Sequence, residues 1–382
     1  MKYKLGDIAP IKQGTVEKND EYWLLNLDMV ESNTGHIIDY LTVRKEKIGS
    51  STVAFDTENI LYSRLRPYLN KVVLPQKCGY ATSEMLPLRP NIKVISKEYL
   101  TCFLRSLKFV EYISEKTSGA KMPRVNISDL KNVEIDCPSL EMQKKITESY
   151  DKLLSIIALR KQELEALDDL IRARFVELFG DPIYNPRRWK VKTLGELSIQ
   201  INSGNTPKGG EQVYVDKGIT FFRSQNVWKD RLEMDDIVYI DEKTHADMRR
   251  SSLKHGDILM TKTGRINTEN SSLGRAALYL GEDDAANING HVYFIRLKQG
   301  VNNKFVLRIL VSDEYRNYIR SVCVGGIDKR QLNKNHIEEF PIICPPPDMV
   351  NNYITFADQI NKSKFLHLKF WEEGVKLYGN VG

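Results

Sequence analysis

The chain has 382 residues, 41% of them hydrophobic and 28% charged, which excludes a disordered protein and leaves room for two or three domains. Its first residues lack the apolar stretch of a signal peptide and no run of about 18 apolar residues occurs, so we expect a cytoplasmic protein. The net charge is +6, and because the excess of Lys and Arg falls in residues 1–138 and 181–345, it mildly favours a polyanionic partner for those two segments.

Residues 1–138 alternate short β-rich runs with turns, and this pattern predicts an α+β domain. The segment opens with LGDIAPIKQG at residues 5–14 and includes NILYSRLRP at residues 59–67. One helical stretch, EYLTCFLRSLKFVEYISEKTSG, then leads into TSGAKMPRVNISDLKNVEIDCPSL at residues 117–140, which we call the closing motif. A segment of this length falls within the usual range of domain sizes.

Residues 139–180 predict one long helix, because no Pro or Gly interrupts them before Gly180 and their charges are of mixed sign. About 40 helical residues span roughly 60 Å, which is too long for a helix inside a domain of this size. Arg160 and Arg174 interrupt an otherwise regular heptad pattern. The apolar a and d positions of that pattern are Ile146, Tyr150, Leu153, Ile157, Leu164, Leu167, Ile171 and Leu178.

Residues 181–345 repeat the first segment. LGELSIQINSG at 194–204 matches the opening run, and DILMTKTGR at 257–265 matches NILYSRLRP. VGGIDKRQLNKNHIEEFPIICPPP at 324–347 matches the closing motif. The separation between matching runs grows along the chain, which indicates loop insertions in the second copy, near 205–218 and between 266 and 325. A fold tolerates such insertions at little cost.

Residues 346–382 predict a second, weaker helix of similar spacing, which we expect to pair with the first as an antiparallel coiled coil. The alternative is that each helix caps its own domain, and the length of the first helix argues against it. The predicted coiled-coil and partner-facing positions are Ile146, Leu153, Ile157, Leu164, Leu167, Ile171, Leu178, Leu368, Trp371 and Val375.

Catalytic patterns do not assemble anywhere in the sequence. DPIY at residues 181–184 resembles part of an amino-methyltransferase motif, but Ile replaces the second Pro and the segment predicts a helix terminator. DEK at 241–243 lacks correctly spaced upstream acids for a nuclease, and no P-loop occurs. The six histidines and the five cysteines lack ligand spacing, so we predict no catalytic residue, no metal site and no disulfide framework.

Basic and polar residues recur at matching turns of the two copies, and these are the side chains that contact bases and phosphates in duplex DNA. Taken singly, each is as readily a solvated surface residue, so the prediction depends on their matching positions in both copies. The candidate DNA-binding residues of the first copy are Ser63, Arg64, Arg66, Lys71, Lys121 and Arg124. Those of the second copy are Lys208, Arg223, Gln225, Asn226, Thr261, Lys262, Thr263, Arg265, Asn289, His291, Lys329 and Arg330.

The order of these segments resembles that of type I restriction-modification specificity subunits over essentially the whole chain. The resemblance is carried by NILYSRLRPYLNK, by PSLEMQKKI after the first closing motif, by the helix ending FVELFGDP, and by PPPDMVNNYI after the second closing motif. The second helical segment departs from the family in having Asp348-Met349-Val350 where Glu-Gln is usual, which puts the strength of its partner contacts in question.

The resemblance implies an α+β chain with target recognition domains at residues 1–138 and 181–345, separated by helical regions at 139–180 and 346–382 that form an antiparallel coiled coil. Each domain would read one half of a bipartite, asymmetric double-stranded DNA site, with the helices setting the gap between the halves. Two copies of a modification subunit would carry S-adenosylmethionine and methylate adenine, and a motor-nuclease subunit would cleave. The alternatives from the residues alone are a stand-alone two-domain DNA-binding protein or orphan recognition subunit and, after it, an enzyme in its own right.

Overall fold

Each half of the chain begins with a strand that pairs with the last strand of the same half. The computed structural model describes the backbone of residues 1–379 apart from positions 40, 120, 267 and 269, and side chains as far as residue 364. The chain divides into unit 1, built on Met1–Glu163, and unit 2, built on Leu164–Gly374. Among the described residues, no helix combines the length and apolarity needed to cross a membrane.

Unit 1 is made of short strands and short helices followed by the first part of a long helix. Its strands are β1 (Lys2–Lys4), β2 (Glu21–Leu25), β3 (Leu41–Arg44), β4 (Thr52–Phe55), β5 (Ile60–Ser63), β6 (Val72–Val73), β7 (Gly79–Thr82), β8 (Met85–Leu88), β9 (Thr117–Ser118), β10 (Arg124–Val125) and β11 (Glu134–Asp136). Its helices are α1 (Leu5–Ile8), α2 (Lys97–Arg105), α3 (Leu107–Glu115), α4 (Ile127–Lys131) and the start of α5 (Leu140–Phe179).

Unit 2 repeats this composition with more strands. They are β12 (Lys190–Thr193), β13 (Ser198–Ser203), β14 (Tyr214–Val215), β15 (Ile219–Phe222), β16 (Val238–Ile240), β17 (Ile258–Thr261), β18 (Thr263–Arg265), β19 (Ala276–Leu278), β20 (Ala286–Ile288), β21 (Val292–Leu297), β22 (Val324–Gly325), β23 (Lys329–Gln331) and β24 (Pro341–Cys344). The helices are α6 (Leu194–Leu197), α7 (Glu242–Asp247), α8 (Asn303–Leu310), α9 (Asp313–Val322), α10 (Lys334–Glu338) and α11 (Pro347–Gly379).

Small sheets with apolar inner faces form the core of each unit. In unit 1 the larger sheets have the strand orders β3-β2-β7-β4 and β6-β5-β8, and in unit 2 they are β13-β21-β17-β19 and β14-β16-β15-β20. All four residues of β5 and all four of β17 are buried, as expected of central strands with both faces covered. These two strands match in the sequence repeat, so each unit presents the end of a fully buried strand at an equivalent place.

The internal repeat predicted from the sequence is present in the fold. Helix α1 and helix α6 both follow the first strand of their unit, and they begin at the matching residues Leu5 and Leu194. Helix α4 and helix α10 both precede the last strand, and they begin at Ile127 and Lys334, which match when the two closing motifs are aligned. The two units are therefore built to the same plan.

The single helical stretch predicted before each closing motif is wrong in detail, because each is two short helices. Ser106 ends α2 and caps α3 by accepting the N–H of Phe109, and Ser312 caps α9 by accepting the N–H of Tyr315. A serine side chain competes with the helical hydrogen bonds of the backbone and so favours a new start over continuation. The break recurs at the same place in both units.

Helix α5 ends as its sequence predicts. The helix stops at Phe179, and Gly180 adopts φ +76°, a conformation that glycine reaches without steric cost. The Asp181 carboxylate then accepts the N–H groups of Ile183 and Tyr184, so DPIY is a helix terminator.

Within unit 2 the end of α5 packs antiparallel to the start of α11. The Tyr353 hydroxyl lies 3.4 Å from the carbonyl oxygen of Ile171, and Asp168 pairs with Lys364 further along α11. Phe175 and Phe179, which the heptad pattern did not include, are buried beside Tyr353. The prediction of an antiparallel helix pair is thus confirmed for this part of the molecule.

The predicted seam fits only some of the α5 positions. Ile171 is 4% exposed and Leu178 packs against the core of unit 2, whereas Ile146 is 40% exposed. Near Ile146 the buried residues are Gln143 and Thr147, because the start of α5 lies on unit 1. Leu153, Ile157, Leu164 and Leu167 are partly buried, and Leu368, Trp371 and Val375 lie outside the residues whose side chains are described.

Candidate nucleic-acid interface

In unit 1 the turn after β5 and the closing motif lie side by side. The Arg64 N–H donates to the carbonyl of Glu84, and the Arg64 carbonyl accepts the N–H of Val125. The Arg66 N–H donates to the carbonyl of Pro123 at 2.8 Å. The two segments that the sequence singled out are far apart along the chain, yet they form one surface.

Two of the candidate arginines of unit 1 share a carboxylate. Glu84 Oε1 lies 2.9 Å from both Nε and Nη2 of Arg124, and Glu84 Oε2 lies 3.5 Å from Nε of Arg64. All three side chains are partly buried, with exposed fractions of 30%, 24% and 35% for Arg64, Glu84 and Arg124. Partial burial strengthens such contacts relative to a fully solvated pair; Arg124 is held by hydrogen bonds, whereas Arg64 makes only the longer ion pair.

Arg66 differs from its two neighbours. Its backbone is left-handed, with φ +49° and ψ +64°, and its side chain is exposed. Within the described part of the chain, no hydrogen bond or ion pair engages its guanidinium. A non-glycine residue in this region of φ/ψ space costs about 1–3 kcal/mol, so contacts of the surrounding structure must hold it there.

The remaining candidates of unit 1 divide between structure and surface. Ser63 is buried and donates to the carbonyl of Leu65, so in this structure its side chain is not accessible to DNA. Lys71 is partly buried and donates to the carbonyl of Leu27 at 2.7 Å. Lys121 is exposed on the loop that follows Gly119.

In unit 2 the corresponding segments pair as a three-stranded sheet, β18-β23-β22. Thr263 pairs with Gln331 and Arg265 with Lys329, so the turn after β17 and the second closing motif form one ribbon. The Lys262 N–H donates to the carbonyl of His291, which adds the NINGH turn to the same surface. Lys329 and His291 are exposed, and Lys262, Thr263, Asn289 and Arg330 are partly buried.

A glycine allows another loop to approach this ribbon closely. A Cβ on Gly204 would lie 2.0 Å from the carbonyl oxygen of Ile288, so only glycine fits where the 204–208 loop crosses the NINGH turn. Lys208 is exposed at the end of that loop.

The segment RSQN at residues 223–226 is held by Asp236, an acid that lies outside the segment. Asp236 pairs with Arg223 at 2.9 Å and accepts from the side-chain amide of Gln225 at 2.8 Å. The Gln225 hydrogen bond, followed by the charge of Arg223, lowers the pKa of Asp236. The side chain of Arg223 is 13% exposed, and Asn226 is 1% exposed.

Two candidates of unit 2 are buried. Thr261 is fully buried and its hydroxyl donates to the carbonyl of Ser272, and Asn226 bonds the carbonyl of Glu233. Both side chains stabilise loops and, like Ser63, they are not accessible to DNA in this structure. Alternation along a strand decides which of its residues faces outward, and an isolated motif does not reveal that register.

Arginines outside the motifs form a cationic cluster around Trp228. The guanidinium of Arg275 lies 3.9 Å from the centre of the Trp228 ring, and that of Arg231 lies 5.4 Å from it. Burial, followed by the nearby charges of Arg316 and Arg231, lowers the pKa of Arg275. The sequence signal for this cluster was weak, because its members come from three separate segments.

Known proteins similar to the chain agree on one family. Residues 1–169 match the model described as type I restriction modification DNA specificity domain. The type I restriction enzyme MjaIX specificity subunit of Methanocaldococcus jannaschii is 26% identical over 69% of the chain, and the StySPI specificity subunit of Salmonella potsdam is 24% identical over 76%. The EcoDI specificity subunit of Escherichia coli is 28% identical over 33% of the chain.

The matched regions span 28%, 62% and 65% of the EcoDI, MjaIX and StySPI subunits, which is less than two thirds of each. A solved structure from work on complex assembly and conformational transition of the type I R-M system covers 100% of the chain and 96% of its own chain. Its TM-score is 0.63 at 17% sequence identity, so the two chains share a fold.

Proposed function

We propose that the chain is a member of the type I restriction modification DNA specificity family, whose model matches residues 1–169, and that it selects DNA for a type I restriction-modification complex. It binds double-stranded DNA through both units, each of which reads one half of a bipartite site. Bound DNA is then methylated at adenine N6, or cut, by other subunits. The chain itself catalyses no reaction.

One observation carries this proposal more than any other. In both units the turn after a fully buried strand, β5 or β17, lies against the closing motif, and that turn and motif carry basic side chains: Arg64, Arg66 and Arg124 in one unit, Lys262, Arg265, Lys329 and Arg330 in the other. A repeated scaffold with matching basic surfaces suits a ligand that itself repeats, as the two half-sites of a duplex do.

The side chains at these matching places differ, so we propose an asymmetric site. When the two closing motifs are aligned, Arg124 of unit 1 corresponds to Gln331 of unit 2. When NILYSRLRP is aligned with DILMTKTGR, Arg66 corresponds to Gly264. Different donors and acceptors at equivalent positions select different bases in the two halves.

The partners in this proposal are two copies of a modification subunit and, for cleavage, a motor-nuclease subunit. S-adenosylmethionine is held by the modification subunits and not by this chain. The helices α5 and α11 are the proposed docking surface, and apolar side chains such as Ile156 and Leu159 on α5 are 54% and 63% exposed. The complex acts in the cytoplasm, where the DNA is.

Methyl transfer tests the proposal directly. The purified chain, a modification subunit, and their mixture are each incubated with labelled S-adenosylmethionine and duplex DNA. We expect methylation of adenine only in the mixture, at one bipartite sequence. Methyl transfer by the chain alone, or equal transfer by the modification subunit with and without it, would refute the proposal.

A further inference from the structure

One arginine of unit 1 has a left-handed backbone conformation that the two neighbouring arginines do not share. Arg66 has φ +49°, whereas Arg64 and Arg124 lie in extended segments beside it. Arginine gains nothing from the left-handed region, since only glycine enters it without steric cost. The surrounding structure must therefore impose this conformation.

Two hydrogen bonds impose it. Pro67 follows Arg66 and starts a short 3-10 turn, in which the Leu69 N–H donates to the Arg66 carbonyl at 2.9 Å. On the other side the Arg66 N–H donates to the carbonyl of Pro123 at 2.8 Å. Both peptide groups of Arg66 are thus fixed, and its Cα–Cβ bond has a defined direction.

The three arginines then divide into two kinds. Glu84 engages Arg64 and Arg124, whose guanidinium groups join the turn after β5 to the closing motif. Arg66 stays exposed, with no ion pair or hydrogen bond from its side chain to the described residues. Of the three positive charges, only that of Arg66 is free to meet an incoming ligand without breaking an existing contact.

Unit 2 contains no copy of this arrangement among its described residues. Its equivalent of Arg66 is Gly264, where a Cβ would lie 2.2 Å from the N of Leu273. The next residue, Arg265, is on a regular strand and pairs with Asp328 at 3.2 Å. The equivalent of Arg124 is Gln331. Neither Arg66 nor Arg124 therefore has an arginine at the matching position of unit 2.

We propose that Arg66 is the base-reading arginine of unit 1 and that Glu84 is its positioning residue, an assignment that rests on the proposed DNA-binding function. Arg66 takes the O6 and N7 atoms of one guanine in the major groove, the bidentate contact that arginine makes best. The fixed backbone sets the point and direction at which the side chain leaves the turn, and its free guanidinium can then turn to a base edge. Glu84 acts by holding Arg64 and Arg124, and through them the Pro123 carbonyl that fixes Arg66.

The experiment uses the full chain with its modification subunits, a library of random duplex DNA, and sequencing of the bound fraction. Arg66→Gly removes the side chain but keeps the backbone, since glycine accepts φ +49°. Arg188→Gly is the matched control, because Arg188 is also exposed with φ +58° but lies outside both closing motifs. Glu84→Gln keeps the shape of the positioning residue and removes its charge.

We expect wild type and Arg188→Gly to select the same bipartite sequence. Arg66→Gly should lose the preference for one guanine in one half-site, bind the wild-type site at least tenfold more weakly, and melt at or above the wild-type temperature. Glu84→Gln should weaken the preference for that same guanine and leave the other half-site unchanged.

The contrary outcomes separate the two proposals. A wild-type protein that selects no sequence would refute the proposed function itself. A bipartite sequence that is unaltered by Arg66→Gly would overturn the inference and leave the function standing, as would a loss of affinity equal for all sequences, which indicates a phosphate contact. If Glu84→Gln lowers the melting temperature without changing the selected bases, Glu84 is structural only.

Discussion

Gln143 and Ser96 join the start of the long helix to the strands and short helices of unit 1: the Gln143 side-chain oxygen accepts the Ser96 N–H at 2.9 Å. The amide nitrogen of the same side chain donates to the carbonyls of Val94 and Pro138, both at 2.9 Å. Gln143 is fully buried, so these bonds have no competition from water. Unit 2 has Val350 at the equivalent position after its closing motif, and this side chain packs into an apolar core.

We predict that Gln143→Ala lowers the free energy of unfolding of unit 1 by about 2–3 kcal/mol, because it leaves a buried N–H and two carbonyls without partners. Gln162→Ala, on an exposed part of the same helix, should change it by less than about 0.5 kcal/mol. Urea denaturation of the three proteins measures the difference. Equal stability of both variants would mean that Gln143 contributes no net hydrogen-bond energy.

The double change Lys329→Ala and Arg330→Ala should weaken DNA binding without unfolding unit 2. Both side chains project from β23, a surface strand that pairs with β18 and β22 through backbone hydrogen bonds. We expect at least tenfold weaker binding to DNA and a melting temperature within about 2 °C of wild type. Fluorescence anisotropy with duplex DNA and a thermal melt test the two parts, and a large fall in melting temperature would show the pair to be structural.

Asp236→Asn should remove the ion pair of Arg223 and strengthen the binding of unit 2 to DNA, while the hydrogen bond from Arg223 to the Asp236 backbone carbonyl remains. Asp236 pairs with both side chains and its pKa is lowered by them, so it remains charged at neutral pH and offsets one positive charge of unit 2. We predict a several-fold gain in affinity for random duplex DNA at low salt, and a smaller gain at high salt because counterions screen the added charge. Asp235→Asn makes the same change of charge beside it, and an equal gain from that variant would rule out loss of the ion pair as the cause.

The stability of unit 1 should fall as acid protonates Asp56. Burial acts to raise the pKa of Asp56, but the ion pair with Arg89 at 2.7 Å and the N–H groups of Thr15 and Glu58 outweigh it and lower that pKa below 3.8. A carboxyl group with a lowered folded-state pKa stabilises the fold above its unfolded pKa and loses that contribution as the pH falls through the folded one.

Asp56→Asn should therefore cost about 1–3 kcal/mol at pH 7 and progressively less below pH ~4. Unfolding by urea at several pH values, with the exposed Asp20→Asn as control, gives the difference between variant and wild type. A difference that stays constant down to pH ~2 would contradict the ionic origin of the effect.

The sequence predicted the features that depend on pattern alone. Matching runs in the two halves indicated the repeat, and the absence of Pro and Gly before Gly180 indicated the long helix, which runs from Leu140 to Phe179. The closing motif and NILYSRLRP were each predicted to carry DNA-binding residues, and the hydrogen bond between Arg66 and Pro123 shows that the two segments lie together in unit 1.

What the sequence left open depends on contacts between distant residues. Three candidate arginines pair with an acid from a separate segment: Glu84, Asp236 or Asp328. The local spacing of residues in the sequence does not predict such pairs. Ser63 and Thr261 end buried strands, so their motif positions looked accessible although their side chains point inward. The break at Ser106 is a local signal, but the apolar pattern on both sides suggested a continuous helix.

The pairing of β1 with β11 and of β12 with β24 gives each unit adjoining points of entry and exit. In unit 1 the N-terminal ammonium lies 3.2 Å from the carbonyl of Cys137, just before the chain turns toward α5. A domain whose ends meet can be cut out, exchanged or inserted as a cassette without re-routing the chain around it. A recombination near residue 138 would thus exchange the strands and short helices of unit 1 and leave residues 181–345 unchanged, whereas exchange of residues 181–345 alone would need a crossover on each side.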